Sequence, residues 1–371
     1  MIAADRALQR PPDAKLLSID SRRRLRHLPR EELSALLRPG DLVVANDAAT
    51  LPASLEGTHI RTRAAIEVRL AGRRSLDVAD IRELDAVVFG EGDFRVPTER
   101  RPPPPALRSG DELRLGPLHA VVQRLLDHPR LVTLRFDGTA ERIWEGIARH
   151  GRPIQYSHLP AALALWDVWT SNAALPVAFE APSAGFILSW KMLAAIRARG
   201  GRFATLTHAA GISSTGDPEL DRRLPFDEPY YVPSATAREI RLARLRGARI
   251  IAIGTTVVRA LEHAADARGF AGAGFGIATQ RLGPASSLKV VDAILSGTHE
   301  PGTSHFELLR AFVDDETLSA AAAELEAAGY RTHEFGDSVL IERSKAHSAH
   351  SPRERKGVFA ARQGSGESLL R

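Results

Sequence analysis

Residues 248–262 read ARIIAIGTTVVRALE, and no other stretch constrains the fold of this chain as strongly. Arg249 to Ile253 is a short apolar run rich in β-branched residues, the pattern of a buried strand. Gly254 predicts a sharp turn. Thr255 or Thr256 can then cap a helix, because a hydroxyl accepts from an orphan helix N–H. Val257, Val258 and Leu261 form that helix's apolar stripe, with Arg259 and Glu262 off it at i, i+3. Strand, glycine turn and helix start together present backbone N–H groups and the positive end of a helix dipole, suited to an anionic ligand group. The same pattern also fits an ordinary β–α turn with Arg259 and Glu262 as a surface ion pair.

At 371 residues, 44% hydrophobic and 26% charged, the chain has room for two domains and a substantial core. It has no cysteine, which excludes disulfides, thiolate metal sites and cysteine nucleophiles. The start, MIAADRALQRPPD, lacks an apolar core, so no secretory signal is expected. No run approaches the ~20 apolar residues of a membrane span. The expectation is a cytoplasmic, monomeric protein without membrane contact. A net charge of +5 is compatible with an RNA partner, but part of the excess lies in the tail from Ser344, which reads as disordered.

Along the chain, Leu42 to Ala45 reads as a buried strand, with Asn46 and Asp47 at its C-terminal end, where open α/β sheets place ligand sites. Asp47 can face a ligand or simply cap a turn. Residues 55–147 have a different texture. Short alternating runs at 64–70, 84–89, 112–115, 118–126 and 131–136 are separated by Gly and Pro clusters, which predicts a small antiparallel β-barrel or sandwich inserted into the main domain. Arg61, Arg63, Arg73 and Arg74 are expected on its exposed faces. Helix and strand periods resume after Gly151, with helices expected over 188–199, 234–247 (capped by Ser234 and Thr236) and 316–328. Gly302-Thr303-Ser304 reads as a further helix entry, with Phe306, Leu309 and Val313 as the core face. Phe203 to Thr207 reads as a strand leading to His208, and Ser338 to Ile341 as a strand following the Gly336-Asp337 turn. The fold expected is α/β: a mixed, barrel-like main domain over 1–54 and 148–343, a β-barrel over 55–147, and a tail over 344–371.

These punctuated segments, in this order, resemble the S-adenosylmethionine:tRNA ribosyltransferase-isomerases of queuosine biosynthesis. RPGDLVVAND, ending at Asn46-Asp47, is similar to the family's Pro-Gly-Asp-Leu-Leu-Val-x-Asn-Asp, and APSAG, containing Pro182, Ser183 and Gly185, to its Ala-Pro-Thr-Ala-Gly. His208 matches the histidine of a Leu-His-Val-Gly motif, and Glu228 and Tyr231 a Glu-x-x-Tyr segment. IAIGTTVVRALE is nearly the family consensus; VVDAILSGTHEPGTS and FGDSVLI resemble later motifs and contribute His299, Thr303, Ser304 and Asp337. The chain also departs from the family. Two arginines are lost after Asn46-Asp47, a histidine after Gly185, and the histidines before the Glu-x-x-Tyr segment; Asn-Phe-His becomes Gly297-Thr298-His299.

The resemblance implies that the ribosyl group of S-adenosylmethionine is transferred and rearranged onto the aminomethyl group of a 7-deazaguanine base in tRNA, releasing adenine and methionine. The sulfonium acidifies the C5′ hydrogens and stabilises the resulting ylide, so such a reaction calls for a base but no metal or redox cofactor. On this reading His208, Glu228, Tyr231 and Asp47 are the catalytic candidates. Asn46, Pro182, Ser183, Gly185, Gly254, Thr255, Thr256, Arg259 and Asp337 are candidates for binding S-adenosylmethionine. Glu262, His299, Thr303 and Ser304 are candidates for the acceptor, with tRNA as the partner. The lost arginines and histidines leave two alternatives: a paralogue that uses S-adenosylmethionine with a small-molecule acceptor or alone, and a non-catalytic binding protein on the same fold.

Overall fold

The computed structural model describes residues 1–344. Apart from Ser344, whose N–H reaches Phe312 O at 2.9 Å, the tail expected to be disordered lies outside them.

Nine strands form the main sheet, in the order Gly274–Ala278, Glu228–Val232, Arg202–His208, Leu42–Asn46, Ile250–Ile253, Ala293–Gly297, Ser338–Glu342, Lys15–Ile19 and Leu25–Pro29. The four strands from Arg202–His208 to Ala293–Gly297 run parallel to one another. Antiparallel pairs flank them on each side. Side chains alternate across the strands. Leu42, Val44, Ile250, Ala252 and Ile294 pack on one face with helices Ser234–Leu245, Thr255–His263 and Asp315–Ala327. Val43, Ala45, Ile251, Ile253, Ala293 and Leu295 pack on the other with helix Trp190–Ala198. Both faces are covered, which is why these strands read as continuous apolar runs rather than alternating ones.

Residues Ser54–His59, Ala64–Gly72, Glu83–Phe89, Glu112–Leu115, Leu118–Leu126 and His128–Phe136 close into an antiparallel barrel. The main sheet is open at both edges, so among the described residues closure belongs to the inserted barrel. Its period-2 pattern is visible in the packing: Ile66, Val68 and Leu70, then Leu84, Ala86 and Val88, then Val132, Leu134 and Phe136 fill the interior. Helix Ala140–His150 plugs one end with Ile143 and Ile147, and Gly146 lies so close to Leu118 that an added Cβ would stand 2.3 Å from its side chain. The outer face of the strand Glu83–Phe89 docks on the main domain, where Val87 and Phe89 meet Ile212, Leu220 and Leu224.

Several local expectations change in the folded chain. Arg73 is buried, not on an exposed face, and donates to Asp77 O at 2.7 Å. Helix Ser234–Leu245 has Pro233 at its cap position and no side-chain cap; Thr236 Oγ1 instead donates to Thr205 O at 2.6 Å, tying the helix to the sheet. Helix Thr255–His263 likewise has no hydroxyl cap, because Gly254 occupies the cap position. The helix entered at Thr303 is shorter than its apolar spacing predicts. It ends at Leu309, and Val313 is buried from the turn that follows.

Candidate active site

The parallel strands Leu42–Asn46, Ile250–Ile253 and Ala293–Gly297 point their C-terminal ends the same way, and a cavity of about 330 Å³ opens beside the last two. That volume lies in the ~300–1,000 Å³ range of small-molecule sites, and the position follows the rule for ligands in open α/β sheets. Gly254 turns the chain at φ +92°, a region costly for any residue with a Cβ, and stands against Ala184. The turn brings Thr255 and Thr256 to the cavity wall at the start of their helix, with Pro182, Ser183 and Ala184 also lining it.

Arg259 lines the cavity too, but its charge is engaged. It pairs with the Glu228 carboxylate and donates to Phe226 O (3.0 Å) and Ala278 O (2.8 Å). Glu228 in turn accepts the Gly211 N–H at 2.5 Å. The surface pair anticipated between Arg259 and Glu262 does not form. Glu262 lies away from the cavity and accepts the N–H groups of Lys289 (2.6 Å), Val290 (2.9 Å) and Val291 (2.8 Å).

His299, Ser304 and His305 complete one wall. The imidazoles of His299 and His305 stack at 4.6 Å, and burial holds both below the usual histidine range. Thr303 sits just outside, where its hydroxyl caps the helix by accepting the Phe306 N–H.

The remaining candidates stand behind the cavity rather than in it. His208 is fully buried with neither ring nitrogen hydrogen-bonded among the described residues; its Nε2 lies 3.5 Å from the Glu228 carboxylate. Burial together with the Arg259 charge pushes its imidazole far below the usual range. Asn46 clamps the strand ends, donating to His208 O (2.9 Å) while accepting the N–H groups of His208 (2.9 Å) and Ala48 (3.0 Å). Asp47 accepts the Thr207 hydroxyl at 2.6 Å. Tyr231, in the second strand of the sheet, packs against Phe275 of the edge strand at 4.5 Å. Asp337 holds its turn by accepting the N–H groups of Lys15 and Arg331, both at 2.7 Å. Gly185 is buried in a short 3-10 turn against Thr170.

Folding also brings in residues that the motifs did not single out, above all Glu180, with Arg222 and His305. Glu180 immediately follows Phe179, whose ring sits in the barrel core, so the alternation of the strand before it turns the carboxylate the other way, to the cavity. The Tyr156 hydroxyl donates to it at 2.5 Å, and burial raises its carboxyl to about 7. The sequence carries the signal: Glu180 is a carboxylate at the end of the apolar run 175–179, as Asp47 is at the end of 42–45. Arg222 is exposed at the cavity mouth, with no hydrogen-bond or ion-pair partner for its guanidinium among the described residues.

Next to the cavity, His158, His333 and Glu334 bring potential metal-ligand atoms within 4.8 Å of one another. The two imidazoles stack at 4.3 Å and 18°, however, so their in-plane lone pairs run side by side rather than converging. The His158–Glu334 contact at 3.1 Å accounts for this cluster without an ion.

Among the described residues, no helix is long and apolar enough to cross a membrane. The family model described as "Queuosine biosynthesis protein" matches residues 1–341. An S-adenosylmethionine:tRNA ribosyltransferase-isomerase of Sorangium cellulosum is 34% identical, covering 90% of this chain and 94% of its own. The enzyme of that name from Methylobacterium sp. is 31% identical, covering 90% and 92%. A crystal structure of S-adenosylmethionine tRNA ribosyltransferase from Thermotoga maritima is 23% identical over 91% of this chain and 94% of its own, with a TM-score of 0.47, and adds nothing to the assignment. With a family model matched along 341 residues and relatives above 30% identity over nine-tenths of their length, the chain belongs to the queuosine biosynthesis protein family.

Proposed function

We propose that this protein is an S-adenosylmethionine-dependent ribosyltransferase-isomerase, which moves and rearranges the ribosyl group of S-adenosylmethionine onto a 7-deazaguanine base of tRNA and releases adenine and methionine. The observation that carries this reading is the match to enzymes of that name along nine-tenths of both chains. The cavity supports it, because the residues of the IAIGTTVVRALE, APSAG and SGTHEPGTS motifs meet there. In this reading the backbone N–H groups and hydroxyls of Thr255 and Thr256 hold the carboxylate or ribose of S-adenosylmethionine. Ser183 shares that wall, and Ser304 and His299 face the acceptor. Arg222 at the mouth meets the tRNA backbone, a contact that a guanidinium suits. The small-molecule and non-catalytic alternatives have no comparable support.

Incubation with S-adenosylmethionine alone, and then with tRNA bearing the aminomethyl-7-deazaguanine base, tests this. Adenine and methionine are expected only with the modified tRNA. Release without tRNA would shift the assignment to S-adenosylmethionine as sole substrate, and absence of release in both would sink the reading.

A further inference from the structure

Three glutamates drawn in from solvent, Glu67 and Glu228 buried and Glu180 half-buried, distinguish themselves by what neutralises them. Glu67 in the barrel is held by Arg69 and Arg101, and Glu228 by Arg259. Among the described residues, Glu180 has no cation in hydrogen-bond contact. Its bonded neighbours are neutral, the Tyr156 hydroxyl at 2.5 Å and Ser213. The charged groups that face it at longer range are Glu334, itself paired with His158, and Arg69, which lies over the Tyr156 ring at 5.5 Å. A carboxylate stripped of water and left without a counterion is a stronger base than one in solution or in an ion pair.

On the function proposed above, we infer that Glu180 is the general base that takes the proton from C5′ of S-adenosylmethionine, with Tyr156 as the positioning residue that aims its carboxylate into the cavity. The C5′–H bond breaks, the proton passes to a Glu180 oxygen, and the electron pair stays on C5′, where the adjacent sulfonium stabilises it as a neutral ylide. The step balances without an oxidant or reductant.

The other titratable groups of the site suit it less: Asp221 accepts the Thr215 N–H at 2.6 Å and Glu307 pairs with Arg310 at 2.7 Å. Burial raises the Glu228 carboxyl too, but its carboxylate is committed to Arg259 and to the Gly211 N–H. His208 does not reach the cavity, and burial makes the His299 and His305 imidazoles weaker bases than usual. Glu180 combines exposure to the cavity with a carboxyl raised to about 7, where a general base works best near neutral pH. Tyr156 is fitted to its part because burial raises its phenol well above 10, so that it remains a donor. The barrel core packs against Tyr156 as it does against Phe179, so both groups are fixed from the same side.

The test compares wild type with Glu180→Gln and Tyr156→Phe, measuring S-adenosylmethionine affinity by calorimetry and tRNA-dependent adenine release from about pH 5.5 to about pH 9, a range spanning the raised carboxyl. Wild-type kcat should fall as pH drops through about 7 and the base becomes protonated. Glu180→Gln should bind S-adenosylmethionine normally while kcat falls about 10²-fold or more. Tyr156→Phe removes a bond that stabilises the carboxylate, so the acidic limb should move to higher pH with affinity retained. Adenine release by Glu180→Gln at wild-type rate would overturn the assignment of the base. An unshifted limb in Tyr156→Phe would overturn the role of Tyr156. Absence of release by the wild type itself would overturn the proposed function, a failure the wild-type control separates from the other two.

Discussion

The glutamates of the barrel and of the cavity differ in burial and in partners, Glu67 being buried and Glu180 half-buried at the cavity wall. Glu67 lies on the outer face of the barrel strand Ala64–Gly72, accepting from Arg69 (2.8 Å), Arg101 and Ser54 (2.7 Å), with both guanidiniums also packed on the Phe89 ring. Its charge has opposite charges within reach, and it does not line the cavity that Glu180 faces. Glu180 has neutral donors on one side and an open space on the other. A closed network serves assembly, and an unpaired carboxylate at a cavity keeps reactivity that the fold has not neutralised.

The largest effect is expected from Glu67→Ala. It strands Arg69 and Arg101, both almost fully buried, and should cost about 3–5 kcal/mol in chemical denaturation. A cost below about 1 kcal/mol, the range of an exposed pair, would mean that the network is not structural.

The mirror-image expectation is that Glu180→Gln stabilises the protein. In the folded state its carboxyl is raised from 4.5 to about 7, so between those values the unfolded chain has released a proton that the folded chain still holds, and stability falls as pH rises. The wild type should therefore be less stable than Glu180→Gln at about pH 8 by about 1–3 kcal/mol, the gap closing below pH 4.5. Equal stability under those alkaline conditions would remove the contrast with Glu67.

Gly254→Ala acts through the backbone instead of through charge. At φ +92° with Ala184 at 3.4 Å, a Cβ should cost roughly 1–2 kcal/mol and weaken S-adenosylmethionine binding, measured by thermal melts and calorimetry. The smallest effect expected is that of Thr303→Ala, which removes the cap of the short helix Ser304–Leu309 at about 1 kcal/mol, with turnover affected more than global stability because Ser304 and His305 line the cavity.

One of the motif departures falls beside this region. Position 49, where the family pattern places an arginine, is an alanine in the strand Ala48–Thr50, which is buried and pairs with Leu175–Ala178. The strand it supports leads directly to Phe179 and Glu180.

Features that depend on neighbours a few residues away are legible in the sequence. The apolar run 250–253, the glycine turn, the stripe of Val257, Val258 and Leu261 and the alternation of the barrel strands are local patterns, and each recurs in the structure because burial on a given face follows from period alone. Only the tertiary structure decided who pairs with whom. Arg259 had Glu262 three residues on, yet it turns to Glu228, because the strand Glu228–Val232 packs beside its helix while Glu262 faces the N–H groups of 289–291. His208 and Asp47 occupy strand ends that lie behind the cavity, whereas Glu180 occupies one that opens into it. A buried charge takes whichever partner the packed core places within hydrogen-bond reach, and that geometry is set by contacts between strands far apart in the chain.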